Sequence, residues 1–265
     1  MKLELFNSIH SSGIIIILQF RYLSLVMQIT DILEQVKNAL IDRSNEKTRQ
    51  SALRFFKEPI LAYGVKTPDI HAISKEIIRG IKDENKANIF ALCEVLFQTG
   101  YIEEAIIAID IAYSVRKKFK PEDFEIFQKW ISLYITNWAT CDGFCNHTIG
   151  TFLVMYPSFI DQLKTWAVSP SRWMRRAAAV SLIVPAKQGY FLSQVFELAT
   201  ILMEDHDDLV QKGYGWLLKC ATQKHEQEVF EFVMKNKTKM PRTALRYAIE
   251  KMPVSFKKEA MDKNK

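Results

Sequence analysis

The sequence predicts an all-α protein, a solenoid of paired helices whose concave side forms a basic groove. Three observations lead there. Apolar residues recur at spacings of three and four along the chain, which is the helical period. Glycine (9) and proline (8) are scarce among 265 residues and mark no hairpins. A short pattern also returns: a basic or polar residue, then small residues, then an apolar run. It is seen in Thr48-Arg49-Gln50-Ser51-Ala52-Leu53, Arg175-Arg176-Ala177-Ala178-Ala179-Val180, Gln211-Lys212-Gly213-Tyr214-Gly215-Trp216 and Arg242-Thr243-Ala244-Leu245-Arg246-Tyr247.

The periodicity predicts helices over 28–43, 46–57, 68–80, 84–98, 101–116, 121–135, 142–155, 157–168, 171–184, 189–203, 207–221, 224–235 and 240–251. Thr67-Pro68 supplies a capping residue and then proline at the first helical position. Pro121-Glu122-Asp123 places proline and two acids in a first turn, and the acids between Asp205 and Asp208 suit the positive end of a helix dipole. Gly100 and Gly189 separate neighbouring helices. Arg176 and Lys212 stand 36 residues apart, Lys212 and Arg242 30 apart. Such loose periods describe a HEAT-like helical repeat, in which small residues let inner helices approach and basic residues at their starts line the concave face.

Formal net charge is +6 and the isoelectric point lies near 9.0, with 48% hydrophobic and 25% charged residues. That balance fits a soluble domain and favours nucleic acid or another anionic partner, although a merely solvated surface accounts for it equally well. Four irregularly spaced cysteines, at 93, 141, 145 and 220, read as reduced thiols of a cytoplasmic protein. Cys141, Cys145 and His147 lack a second ligand pair at metal spacing, so neither metal nor cofactor is expected. The apolar run Gly13–Phe20 is too short to span a bilayer and has no small-residue cleavage site behind it. Residues 1–26 read as a leader outside the fold, 27–253 as one helical domain, and 254–265 as a basic tail.

Three stretches carry candidate chemistry: Asn137–Asp142, Arg172–Ala179 and Gln211–Trp216. Each sets a tryptophan three or four residues from a charged side chain, the spacing that brings two side chains to one helix face. Trp138 pairs with Asp142, Trp173 with Arg176, and Trp216 with Lys212. Read singly, Trp138 is equally a core residue beside an aspartate capping a helix from about 142, and Trp216 a core tryptophan. Read together, they suggest aromatic walls, one carboxylate and a basic rim.

These residues resemble the AlkD-type DNA alkylation repair glycosylases, a family of HEAT-like repeat proteins, over about Gln28 to Pro253. Tyr63-Gly64-Val65-Lys66-Thr67-Pro68 is similar to the family's loop between its first helices. The resemblance places the family's active-site tryptophan and aspartate on Trp138 and Asp142, its cleft arginine on Arg176, and its second cleft tryptophan on Trp216. Ala139, where enzymatic members often carry an acid, and Cys141, in place of an aliphatic, depart from the pattern. They bear on efficiency and lesion range more than on fold.

The implied reaction is hydrolysis of the N-glycosidic bond of N3- or N7-alkylated purines in double-stranded DNA, by a monomer without strand cleavage or membrane attachment. An alkylated purine is cationic and already a good leaving group. A carboxylate at Asp142 would stabilise positive charge building on the sugar and orient water. Trp138 and Trp216 would face the cation, and Arg176 would hold a phosphate. Arg172, Arg175, Lys212, Arg242, Arg246, Arg49 and Lys66 are candidate DNA contacts. About six phosphate contacts would give a salt slope near −5. Two other readings stay open: a catalytically inactive HEAT-like DNA-binding protein, and a protein-binding solenoid.

Overall fold

A computed structural model describes Leu23 and residues 26–262. The leader expected over 1–26 lies outside the described residues except for Leu23 and Val26. Among the described residues the regular structure is helical, with a single isolated parallel bridge between Leu61 and Tyr101. None of these helices is long and apolar enough to cross a membrane. The chain divides into two compact units, the first made of residues up to Phe55 with Leu61–Ile111, the second of Phe56–Ile60 with the chain from Ala112 onward.

The first unit holds α1 (residues 26–42), α2 (Glu46–Phe55), α3 (Thr67–Gly80), α4 (Lys86–Gln98) and most of α5 (Ile102–Ser114). Its core is the apolar faces that the three-four spacing marks, including Val36, Leu40, Ile73, Leu92, Leu96 and Ile107. Lys66, not Thr67, occupies the cap position of α3, and its side chain makes no capping bond. The preceding loop is held by a buried carboxylate: Glu103 accepts the backbone N–H groups of Tyr63, Gly64 and Val65 at 3.1, 2.8 and 3.2 Å. Gly64 permits this with φ near +89°, where a Cβ would meet Arg49 Cβ and the Asn45 carbonyl at 2.6 Å.

The second unit holds α6 (Asp123–Tyr134), α7 (Trp138–Phe144), α8 (Gly150–Met155), α9 (Gln162–Ala167) and α10 (Arg172–Val180). It continues through α11 (Ile183–Lys187), α12 (Leu192–Leu202), α13 (Asp208–Asn236), α14 (Arg242–Ala248) and α15 (Val254–Met261). A π-helical turn, Cys145–Ile149, joins α7 to α8. Aromatic residues fill one end of the core. Phe124 stacks on Trp166 at 5.2 Å, and Phe127 meets Phe144 edge-on at 5.7 Å. At the centre lies α10, whose Ala177, Ala178, Ala179 and Val180 are fully buried. With no side chain beyond a methyl on three successive residues, α10 packs on α7, α9 and α13 together.

The two helices expected over 207–221 and 224–235 are both present; they follow one another within Asp208–Asn236 and are separated by a kink at His225, whose φ/ψ of −137°/50° is not helical. The expected tail is helical as far as Met261: Phe256 stacks on Phe230 with centroids 3.9 Å apart, and Ala260 is buried. Apolar residues four apart outweigh the lysine-rich composition of that segment.

Gly215 sets the approach of α13 to α14. A Cβ there would lie 2.7 Å from Tyr247 Cβ and 2.8 Å from the Ala244 carbonyl oxygen. Neither contact is a flexible side-chain end, so Gly215→Ala is expected to lower stability by about 1–3 kcal/mol. Thermal unfolding would register this as a lower Tm, and an unchanged Tm would refute the close approach.

Candidate active site

The N-terminus of α7 positions the first two residues. Asn137 is the cap, in extended geometry (φ −147°, ψ 162°), and its side chain accepts the Thr140 N–H at 3.0 Å. The helix therefore starts at Trp138, four residues earlier than the periodicity suggests. Asp142 lies one turn inside, so the capping role open to it in the sequence belongs to Asn137. Trp138 and Asp142 share a helix face. Trp138 is half-buried, and Phe56 stacks on it at 5.5 Å with 27° between the rings. Sequence reasoning missed Phe56 by extending a helix to residue 57. Pro59 was the available signal, because proline disfavours helical geometry just before it and leaves Phe55–Glu58 open to another role.

Arg176, in the second turn of α10, meets Asp142 with its guanidinium fork. Nε donates to Oδ1 at 2.8 Å and Nη2 to Oδ2 at 2.7 Å, while Nη1 donates to the Leu209 carbonyl at the start of α13. Both side chains are largely enclosed, 6% and 13% exposed. Arg176, expected to hold a DNA phosphate, here faces a carboxylate and a carbonyl. Its fork is taken up by the carboxylate and the carbonyl, which fixes the orientation of the Asp142 side chain. Gly213 lies against Arg176: a Cβ there would stand 3.5 Å from Arg176 Cγ, an ordinary packing distance. Leu209, Gly213 and Trp216 fall at i, i+4 and i+7, one stripe of α13. The half-buried Trp216 thus lies on the helix face that α10 meets.

Burial pushes the Asp142 carboxyl above the ordinary aspartate value, and the bond and charge of Arg176 pull it back down. The neighbouring Cys141 is fully buried, its thiol raised by desolvation, and its Sγ donates to the Trp173 carbonyl at 3.7 Å. The arrangement presents one oriented carboxylate beside an indole face, in a largely water-excluded setting where a fixed charge acts strongly.

The remaining basic candidates separate sharply. Arg172 is shared by Glu58 at 2.9 Å and Asp207 at 2.5 Å, with its guanidinium 5.8 Å from the Trp173 ring centroid. Arg175 donates to Asp205 at 2.6 Å and to the Ser169 and Pro170 carbonyls at 3.0 Å. Lys212 pairs with Asp208 at 2.6 Å. The acids that the sequence offers as dipole partners for α13 are therefore also counter-ions to these candidates, and Asp207 additionally caps the helix by accepting the Leu209 N–H at 2.9 Å. Arg242 and Arg246 are exposed on α14. In the first unit, Arg49 donates to the Ala62 carbonyl at 3.1 Å and pairs with Glu46 at 3.4 Å, while Lys66 is exposed.

The sequence profile described as DNA alkylation repair enzyme matches residues 36–252, well over half of the chain. No curated protein matches. A solved structure from Enterococcus faecalis, described as a predicted DNA alkylation repair enzyme, is similar with a TM-score of 0.72. The match covers 80% of this chain and 98% of that one at 18% identity, a likeness of fold. With the profile spanning α7, α10, α13 and α14, the chain belongs to the DNA alkylation repair enzyme family, and its role is in DNA alkylation repair.

Proposed function

We propose that this protein is a monofunctional DNA glycosylase that hydrolyses the N-glycosidic bond of cationic N3- and N7-alkylpurines in double-stranded DNA. One observation carries the reading: the Asp142 carboxylate is held in a fixed orientation by the Arg176 fork, on the same face as Trp138. A cationic base is a good leaving group and needs no strong acid. The positive charge growing on the deoxyribose needs a negative partner fixed in advance, and Asp142 supplies one. Its second task is to orient water toward the sugar carbon. Trp138, backed by Phe56, and Trp216 offer ring faces that favour a cationic nucleotide over a neutral one, by about 0.5–2 kcal/mol each. The test is release of 3-methyladenine and 7-methylguanine from alkylated duplex DNA by the wild-type protein and by Asp142→Asn.

A second reading, a catalytically inactive DNA-binding protein, draws on the same ion pair, because both oxygens of Asp142 are already engaged by Arg176. Binding of alkylated duplex without base release by the wild type would favour it.

The pH dependence follows from the burial of Asp142. The active form is the carboxylate, and its proton is held more tightly than that of an ordinary aspartate. Base release is therefore expected to fall on acidification at a pH above the normal aspartate range. Stability moves the other way. A folded-state pKa above the unfolded one means that this group's contribution is full below the unfolded pKa and is lost as pH rises through the folded pKa. Single-turnover rates against pH check the first statement, and denaturant midpoints of wild type and Asp142→Asn across the same range check the second.

A further inference from the structure

The candidate DNA contacts on α10, α13 and α14 fall into two classes that their sequence positions do not reveal. On α10 and at the start of α13, Arg172 faces Glu58 and Asp207, Arg175 faces Asp205, Arg176 faces Asp142, and Lys212 faces Asp208. A cation already closed by a carboxylate offers a phosphate little net charge, and Arg172, between two acids, offers less than none. On α14, by contrast, neither Arg242 nor Arg246 has a salt-bridge partner among the described residues. They stand four apart on one helix face, about 5–6 Å between Cβ atoms. With Thr243, Tyr247 and Glu250 they line an open hollow of about 400 Å³. The acid in that hollow is already neutralised: Glu250 accepts from Lys219 at 2.9 Å and meets Lys251 at 3.4 Å.

Resting on the reading of the protein as acting on DNA, we propose that Arg242 and Arg246 form a phosphodiester-binding site, and that this α14 hollow, not the α10 arginines, supplies the ionic grip on the DNA backbone within the second unit. The two guanidinium forks match the paired oxygens of one phosphate or of adjacent phosphates, and the Thr243 and Tyr247 hydroxyls beside them are neutral donors to the same group. Gly215 seats Tyr247 against α13, so the hollow borders the helix that carries Trp216. The cations of α10 are left to fix the carboxylate and the start of α13.

Equilibrium binding of an unmodified duplex oligonucleotide, measured by anisotropy over a salt series, tests this. Each phosphate contact contributes about 0.9 to the slope of log affinity against log salt. The double variant Arg242→Gln/Arg246→Gln is expected to flatten that slope by about 1.8, whereas Arg172→Gln changes it by less than half as much. Both α14 positions are exposed, so the double variant keeps the fold, which its circular dichroism and Tm verify. A slope unchanged in the double variant, or flattened more by Arg172→Gln, overturns the site. A wild-type protein that binds duplex with this dependence yet releases no alkylated base supports the grip and removes the glycosylase. A wild type with no duplex affinity removes both.

Discussion

Arg176→Ala is expected to lower the free energy of unfolding by about 3–5 kcal/mol. The substitution removes three donors at once, two to Asp142 and one to the Leu209 carbonyl, in a place where water does not readily replace them. A buried ion pair is close to neutral against a well-packed apolar alternative, but removing one partner strands the other. The stranded Asp142 then takes up a proton, since the charge that opposed its desolvation is gone. Two readouts follow. Denaturant unfolding gives the loss of stability. In protein that remains folded, the acid limb of base release moves to higher pH than in the wild type. A purely structural arginine would show the first effect without the second, and an unmoved limb would mean that Arg176 does not act through Asp142.

Asp142→Asn is expected to reduce the single-turnover rate of base release by about 10²–10³-fold, the range found when one preorganised electrostatic group is removed from an active site. Asparagine keeps the shape and one oxygen that can accept from the Arg176 fork, so the fold is preserved better than with alanine. It also removes a negative charge, so affinity for DNA stays level or rises. A drop in rate with binding retained isolates transition-state stabilisation. A reduction of less than tenfold would leave the cationic base departing without help from the carboxylate, and the reaction would then rest on the aromatic walls alone.

Part of the candidate site's geometry is local to the sequence, and the rest depends on distant partners. Trp138 and Asp142 stand four apart within one helix, so their shared face is readable from spacing alone. The same holds for Leu209, Gly213 and Trp216 on α13. No local rule pairs Asp142 with Arg176 across 34 residues, because that contact depends on how closely α10 packs on α7. Asp205, Asp207 and Asp208 show the limit clearly. Their place at a helix start is legible as a dipole effect, and their role as counter-ions to Arg175, Arg172 and Lys212 emerges only in three dimensions. In the fold, the alternation of helices was plain from the periodicity. α15 was hidden by its lysine-rich composition, although Phe256 stacks on Phe230 and Ala260 is buried. The break expected between residues 221 and 224 is present, and the structure sets it at His225, whose backbone leaves the helical region.

The early turns of α13 do several jobs on successive residues. The Leu209 carbonyl anchors Arg176, Gly213 packs against it, Gly215 admits Tyr247, and Trp216 completes the stripe. An α-helix advances about 100° and 1.5 Å per residue. Adding or deleting a single residue between Leu209 and Gly213 would rotate everything downstream by that angle, carrying indole, glycine notch and the seat of α14 out of phase together. A change in the length of this segment therefore disturbs all of these contacts at once, whereas a substitution disturbs only the contact of the residue replaced.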